Sequence, residues 1–297
     1  MKTAEWKDYS VISTGEGYKL ERWGKIILLR PDPQVIWKSP IDMDAYPGLH
    51  AKYVRSESGG GHWVYKKKTP EEWNISYGEL QFKIKPMGFK HTGLFPEQAV
   101  NWDEMSRLIE NAGRQIDVLN LFAYTGGATV ACAKAGANVC HVDAAKGMVE
   151  RAGENVRLSG IPNGRVRFII DDCKKFVERE IRRKKRYDAV IMDPPSYGRG
   201  PNGEMWKLEN ELYSLVELCT GVLSDKPLFF LINSYTTGLQ PQVMKNVLIK
   251  LVESKFGGVT RAYEVGLKTE EKGVILPCGN SGMWIGERNC PVESEDD

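Results

Sequence analysis

The chain has 297 residues, a formal net charge of +2, 41% hydrophobic and 27% charged residues. That is the composition of a globular protein with enough apolar material for one large or two unequal domains. It excludes a chain-spanning low-complexity segment, a bilayer span of about 20 consecutive apolar residues and a strongly basic overall surface.

In chain order, the opening MKTAEWKDYS has neither an apolar core nor a small-residue cleavage pattern, so no signal peptide is expected. From about residue 9 to 85 the sequence reads as short strands and turns. Residues 23–30, 63–67 and 80–85 are rich in aromatic and β-branched types, and Pro31-Asp32-Pro33, Gly59-Gly60-Gly61 and Tyr77-Gly78 break them. Ser58 to His62 reads as a hairpin or loop tip, with His62 exposed there. Five of the eight tryptophans (Trp6, Trp23, Trp37, Trp63, Trp73) lie in this section. Lys66-Lys67-Lys68 follows Trp63 and Tyr65. That run suits either a grip on phosphates with aromatics stacked on bases, or the charged guard of an edge strand.

From about residue 103 strands and helices alternate. Strands are expected over 117–122, 138–142, 166–170, 188–192, 228–233, 259–265 and 283–285, with helices over 127–135, 146–158, 173–183, 209–223 and 241–254. Such alternation builds βαβ units on a parallel sheet, and the last two strands, joined by a loop, add an antiparallel edge. The run Arg182 to Arg186 falls at a helix end, where cations complement the dipole. Residues 293–297 form an acidic tail. Six scattered cysteines (Cys132, Cys140, Cys173, Cys219, Cys278, Cys290) make no C-x-x-C pair, which points to a reduced, cytoplasmic protein. No histidine or cysteine spacing suits a metal.

Two motifs carry chemistry. In VLNLFAYTGGATVACAKAGANVCHVDAAKGM, residues 118–148, a strand ends at Phe122, and a loop with Ala123, Tyr124, Thr125 and Gly126 leads into a helix. A second strand ends in Asp143, where a carboxylate can bind ribose hydroxyls. A pyrophosphate would need G-x-G-x-x-G, which this loop lacks; it suits a nucleoside with a smaller zwitterionic tail. The second motif, Asp193-Pro194-Pro195-Ser196-Tyr197, follows the strand DAVIM. Two prolines fix the Asp193 carboxylate and the Pro194 carbonyl as acceptors for an exocyclic amine, with Tyr197 able to stack on its ring.

NLFAYTGGATV, HVDAAKGMVERAGENV, DDCKKFV and YDAVIMDPPSYGRG together resemble class I S-adenosylmethionine-dependent methyltransferases, over about residues 86–286. More narrowly, they resemble the bacterial group whose members act on cytosine C5 and guanine N7 of large-subunit ribosomal RNA. The resemblance implies an α/β fold: a doubly wound, Rossmann-like seven-stranded methyltransferase domain (86–297) preceded by a small mostly-β domain (1–85). It places Asn120 and Phe122 to Gly126 around the methionine moiety, and Asp143, with Ala144 beside it, at the ribose. It puts Asp172 at the adenine amine and Cys173 against the adenine ring. Asp193, Pro194 and Tyr197 would face the transferred methyl group. Thr92, Phe95 and Gln98, in HTGLFPEQAVNW, would come from a segment that folds over the cofactor.

Relatives acting on cytosine C5 place a nucleophilic cysteine after the fifth strand, whereas this chain has Asn233-Ser234-Tyr235. Cys278, in the glycine turn LPCGNSG, is the alternative thiol and reads as a small turn residue. A base nitrogen of ribosomal or another structured RNA is therefore the favoured target. A methyltransferase of small molecules or proteins, a nicotinamide oxidoreductase and a non-catalytic RNA-binding protein are the competing readings.

Overall fold

The computed structural model describes residues 1–56, 60–88, 90–199 and 205–287. Ser58 and Gly59 of the expected loop tip, Cys290 and the acidic tail lie outside them. The chain forms two compact units, one of Met1–Val100 with Val265–Cys278, the other of Asn101–Glu264 with the chain from Gly279.

In the first unit, strands β1 (Tyr9–Gly15), β2 (Tyr18–Trp23), β3 (Ile26–Pro31), β4 (Ala51–Arg55) and β5 (Gly61–Tyr65) make one sheet in that order. Only β3 and β4 run parallel. A separate hairpin joins β6 (Trp73–Tyr77) and β7 (Leu80–Ile84). The strand expected over residues 23–30 is two strands, because Gly24 adopts φ 63° and turns the chain between Trp23 and Ile26. Trp23, Leu20, Leu28, Ile75, Phe82 and Ile84 are buried. Glu21 is buried with them and takes Arg30 in a two-pronged pair, Nε to Oε2 at 2.5 Å and Nη2 to Oε1 at 2.7 Å. The unit departs from a division at residue 85 because the 265–278 segment returns to it. Thr269 bridges Val11, and Glu271 accepts from Ser13 Oγ and the Thr14 N–H, both at 2.7 Å.

In the second unit, helix α1 (Ala99–Glu110) leads to strand β8 (Asp117–Leu121). Then come α2 (Gly127–Lys134), β9 (Asn138–Asp143), α3 (Lys146–Leu158), β10 (Val166–Ile170), α4 (Cys173–Arg182) and β11 (Ala189–Met192). A two-stranded ribbon, β12 (Tyr197–Arg199) and β13 (Met205–Lys207), precedes α5 (Leu208–Thr220), β14 (Phe229–Ser234) and α6 (Pro241–Leu248). A π-helical turn, Ile249–Glu253, extends α6. The strands β15 (Val259–Lys268) and β16 (Ile275–Ile285) complete a seven-stranded sheet ordered β10-β9-β8-β11-β14-β16-β15. Its first five strands are parallel and β16 is antiparallel to β14. This is the expected Rossmann-like methyltransferase sheet with its antiparallel edge.

Alternation along the strands decides the layers. Leu119, Leu121, Val190, Met192, Phe230 and Ile232 pack with Phe176 and Val177 of α4, Leu212 and Leu215 of α5, and Met244 and Leu248 of α6. The intervening residues face α1 to α3. The sequence moves outward from β8 to β9 and β10, then resumes at β11 on the other side of β8, so the switch point lies between β8 and β11. Crevices at the carboxyl ends of such strands are where ligands bind. Among the described residues, no helix is long and apolar enough to cross a membrane, and no group of His, Cys, Asp and Glu could hold a metal ion.

Candidate active site

After β8 the main chain turns through positive φ three times, at Phe122 (54°), Tyr124 (50°) and Gly126 (83°). Left-handed backbone at a non-glycine residue costs about 1 kcal/mol or more and persists only where the surroundings impose it. Here they do. The Phe122 N–H donates to Cys173 Sγ at 3.2 Å, the Ala123 N–H to the Val142 carbonyl at 3.1 Å and the Tyr124 N–H to Asp143 Oδ2 at 2.8 Å. Asn155 Nδ2 holds the Thr125 carbonyl at 2.9 Å. Position 126 must be glycine, since a Cβ there would sit 2.9 Å from Ala152 Cβ.

Asp143, at the end of β9, is half-buried and also accepts the Ala145 N–H on Oδ1 at 2.8 Å, which fixes its carboxylate. Ala144 is exposed beside it. Asp172 caps α4, its Oδ1 accepting the Lys175 N–H at 2.9 Å. Cys173 is buried, and burial pushes its thiol far above the usual range, so it stays a neutral thiol. Behind the loop, Asn120 Nδ2 donates to Thr129 Oγ1, which contacts His141 Nδ1, both at 2.9 Å. Burial lowers the His141 pKa to about 4, so its ring is neutral at pH 7.

Past β11, Asp193 is half-buried and Pro194 buried. Trp206 Nε1 clamps the Pro195 carbonyl at 2.6 Å, and the Ser196 carbonyl and hydroxyl receive the Leu208 N–H (3.1 Å) and Thr236 Oγ1 (2.7 Å). The Trp206 ring also lies 6.1 Å from that of Phe122, which joins the two motifs. Tyr197 stands on β12, half exposed, its hydroxyl donating to Met205 Sδ at 2.8 Å. The carboxyl ends of β8, β9 and β11 thus gather Asn120, Phe122 to Gly126, Asp143 and Asp193, with Cys173 behind them.

The other expected residues have different places. Thr92, Phe95 and Gln98 belong to the first unit. Thr92 and Gln98 are buried, and the Phe95 ring meets His91 edge-on at 5.5 Å. His62 is exposed on β5. Two of the three lysines are tied down: Lys66 reaches the Asp44 carboxylate and carbonyl, and Lys67 the Pro47 carbonyl. Arg183, Lys185 and Arg186 engage Glu180, Asp117 and the Gly221 carbonyl around the end of α4. Cys278 lies within β16 rather than in a turn, and burial pushes its thiol well above the ordinary value. Sequence reasoning missed Trp206, whose role depends on a ribbon pairing that no local pattern announces. It also missed Asn101, whose amide reaches Asn233 from a helix 132 residues away.

A doubly wound sheet with a glycine loop after its first strand, an acid ending its second and Asp-Pro-Pro after its fourth defines a nucleoside-binding α/β protein. Residues 48–223 match the S-adenosylmethionine-dependent methyltransferase family model, and the chain belongs to that family. The solved S-adenosylmethionine-dependent methyltransferase of Agrobacterium tumefaciens is 32% identical, with a TM-score of 0.88 over 95% of this chain and 92% of that one. A solved methyltransferase complexed with S-adenosylhomocysteine shares the fold at 18% identity and TM-score 0.70, over 95% of this chain and 76% of that one. The ribosomal RNA large subunit methyltransferase K/L of Allochromatium vinosum is 32% identical over 147 residues, which are 49% of this chain and 19% of that protein. That of Shewanella frigidimarina is 31% identical over 181 residues, 60% of this chain and 24% of that protein. The chain therefore spans about a fifth to a quarter of the length of these two curated relatives.

The family's cofactor, S-adenosylmethionine, fits the residues present. Both Asp143 oxygens are oriented by main-chain donors and keep further lone pairs for vicinal hydroxyls. Cys173 would supply apolar surface for the adenine ring, and Asp172 an acceptor for its amine. The loop at Tyr124 to Gly126 would bring main chain to the methionine tail.

Proposed function

We propose that the chain transfers a methyl group from S-adenosylmethionine to a base nitrogen of a structured RNA, ribosomal RNA foremost, in the cytoplasm. The single observation that carries the choice of nitrogen is the end of β14. Asn233 and Ser234 stand where carbon methylation of cytosine would need a nucleophilic thiol, and Cys278 is held as a neutral thiol by burial. The names of the ribosomal RNA methyltransferases that the chain resembles support RNA as the target.

Bound S-adenosylmethionine supplies an electrophilic methyl group with its leaving group built in. What remains for the protein is placement, which is worth roughly 7–11 kcal/mol of barrier when both reactants are held at attack distance. In this reading Asp193 and the Pro194 carbonyl accept hydrogen bonds from an amine and orient its nitrogen. Trp206 and Thr236 keep that turn rigid. A base within a duplex must first be flipped out of its stack.

The test is transfer of radiolabelled methyl groups to unmodified ribosomal RNA, transfer RNA, protein and small-molecule extracts in parallel. Label in an RNA fraction, lost with Asp193→Ala, is the expected result. Label confined to protein or small molecules would overturn the RNA target, and full turnover by Asp193→Ala would remove its role.

A further inference from the structure

On the face of the sheet that meets α1, four side chains from distant parts of the second unit close a polar circuit. The Tyr263 hydroxyl donates to Asn101 Oδ1 at 2.7 Å. Asn101 Nδ2 then donates to Ser281 Oγ at 2.9 Å and Asn233 Oδ1 at 3.1 Å, and Ser281 Oγ donates to the same Asn233 oxygen at 2.9 Å. Asn233 and Ser281 are direct cross-strand partners on β14 and β16.

The circuit has a direction. Burial keeps the Tyr263 phenol protonated, and its hydroxyl donates to the Asn101 carbonyl oxygen, which leaves the amide nitrogen on the other side. Asn101 is left to offer its NH₂ to Asn233, and Asn233 must answer with its carbonyl oxygen. Both interactions that fix Asn233 fall on Oδ1. Its Nδ2 pairs with no described residue, yet it is not among the sealed, unpartnered polar atoms of the fold.

The position of that amide matters. The last paired residues of the neighbouring parallel strands β11 and β14 are Met192 and Ile232, so Asp193 and Asn233 are the next residues along each. A fixed NH₂ donor therefore stands at the carboxyl edge one strand away from the acceptor Asp193.

We propose that Asn233 is a specificity-determining residue, its locked Nδ2 donating to a ring nitrogen or carbonyl of the target base while Asp193 accepts from the base's N–H. Asn101, Ser281 and Tyr263 are positioning residues that prevent the amide from flipping. This rests on the reading that the site takes a nucleobase. A site built to hydrogen-bond its substrate discriminates most sharply when the partner group is removed or inverted.

The test measures binding of the four nucleoside 5′-monophosphates, with ribose 5-phosphate as the base-free control, to protein saturated with S-adenosylhomocysteine. Thermal melting monitors folding. At least one mononucleotide is expected to bind the native protein more tightly than ribose 5-phosphate. Asn233→Asp, which replaces the donor by an acceptor, is expected to weaken it at least tenfold without changing ribose 5-phosphate binding. Ser281→Ala is expected to lose several-fold, and Ser281→Thr, which keeps the hydroxyl, to recover most of that. No base-dependent binding, or unchanged affinities in Asn233→Asp, would overturn the proposal. Base-dependent binding without methyl transfer to any RNA would instead overturn the RNA-methylation reading alone.

Discussion

The Asp143 carboxylate, at the end of the second sheet strand, holds the main chain of Tyr124, in the loop after the first, through an N–H···Oδ2 bond of 2.8 Å. The residue expected to bind ribose hydroxyls is thus also a strut for the left-handed loop that would embrace the rest of the cofactor.

Removing that strut disables both roles. Asp143→Ala is expected to weaken S-adenosylhomocysteine binding by one to two orders of magnitude in calorimetry, since hydrogen bonds to a charged group contribute about 1.5–3 kcal/mol each. Asp143→Asn should recover only part, because its NH₂ end must face one of the two main-chain donors.

The buried Glu21–Arg30 pair makes a separate prediction about stability. Deleting Glu21 strands the Arg30 charge, at a cost of about 3–5 kcal/mol, whereas deleting Arg30 leaves Glu21 with Lys19 at 3.9 Å and the Tyr9 hydroxyl at 2.7 Å. Glu21→Ala should lower the urea midpoint sharply and Arg30→Ala less so, and Glu21→Leu combined with Arg30→Met should cost far less than the two single changes added together. Additive losses would show that the pair is not coupled.

Stability should also fall as pH drops from about 6.5 to 4. His141 and His91 are both held down to about 4, chiefly by burial, with neighbouring Arg30 and Lys90 adding to the effect at His91. Their folded pKa values lie below the unfolded value near 6.5, so between the two the unfolded chain binds more protons. The neutral rings' contribution is complete above 6.5 and lost as pH falls toward 4, about 3 kcal/mol per ring at most. His141→Gln should remove roughly half of that slope in denaturant melts, and an unchanged slope would contradict burial as its cause.

Cys278 has no part in the proposed chemistry. Cys278→Ser is expected to keep methyl transfer within about twofold, and iodoacetamide at pH 7 to modify native Cys278 far more slowly than a free thiol, because only the thiolate reacts. Loss of turnover in the serine variant would return a covalent mechanism to consideration.

Much of this was legible in the sequence where a local signal is strong. Helix α3 and strand β10 fall on the expected residues, 146–158 and 166–170, because a 3.6-residue stripe and a short apolar run are each self-contained. The loop, Asp143 and the Asp-Pro-Pro turn were visible because glycine, acid and proline carry their geometry with them. Strand β16 begins eight residues earlier than the strand expected from 283, since LPCGNSG mimics a turn. Its glycines serve packing instead: a Cβ at Gly282 would meet Met244 Cβ at 2.9 Å, and one at Gly279 the Ser234 carbonyl oxygen at 2.9 Å. Ribbon β12–β13 and the Asn101 circuit depend on partners far away in sequence and left no local trace.

The order of the last three strands has a temporal consequence. β16 lies between β14 and β15, so β15, although made before β16, cannot join the seven-stranded sheet until β16 has emerged. Ser281 is on that late strand, and without its hydroxyl the Asn233 amide loses one of the two donors that orient it. A nascent chain could fold the glycine loop and the Asp143 strut while residue 281 is still inside the exit tunnel. It would then hold its cofactor before the far side of the crevice had taken shape, so the ability to choose a target would be acquired last.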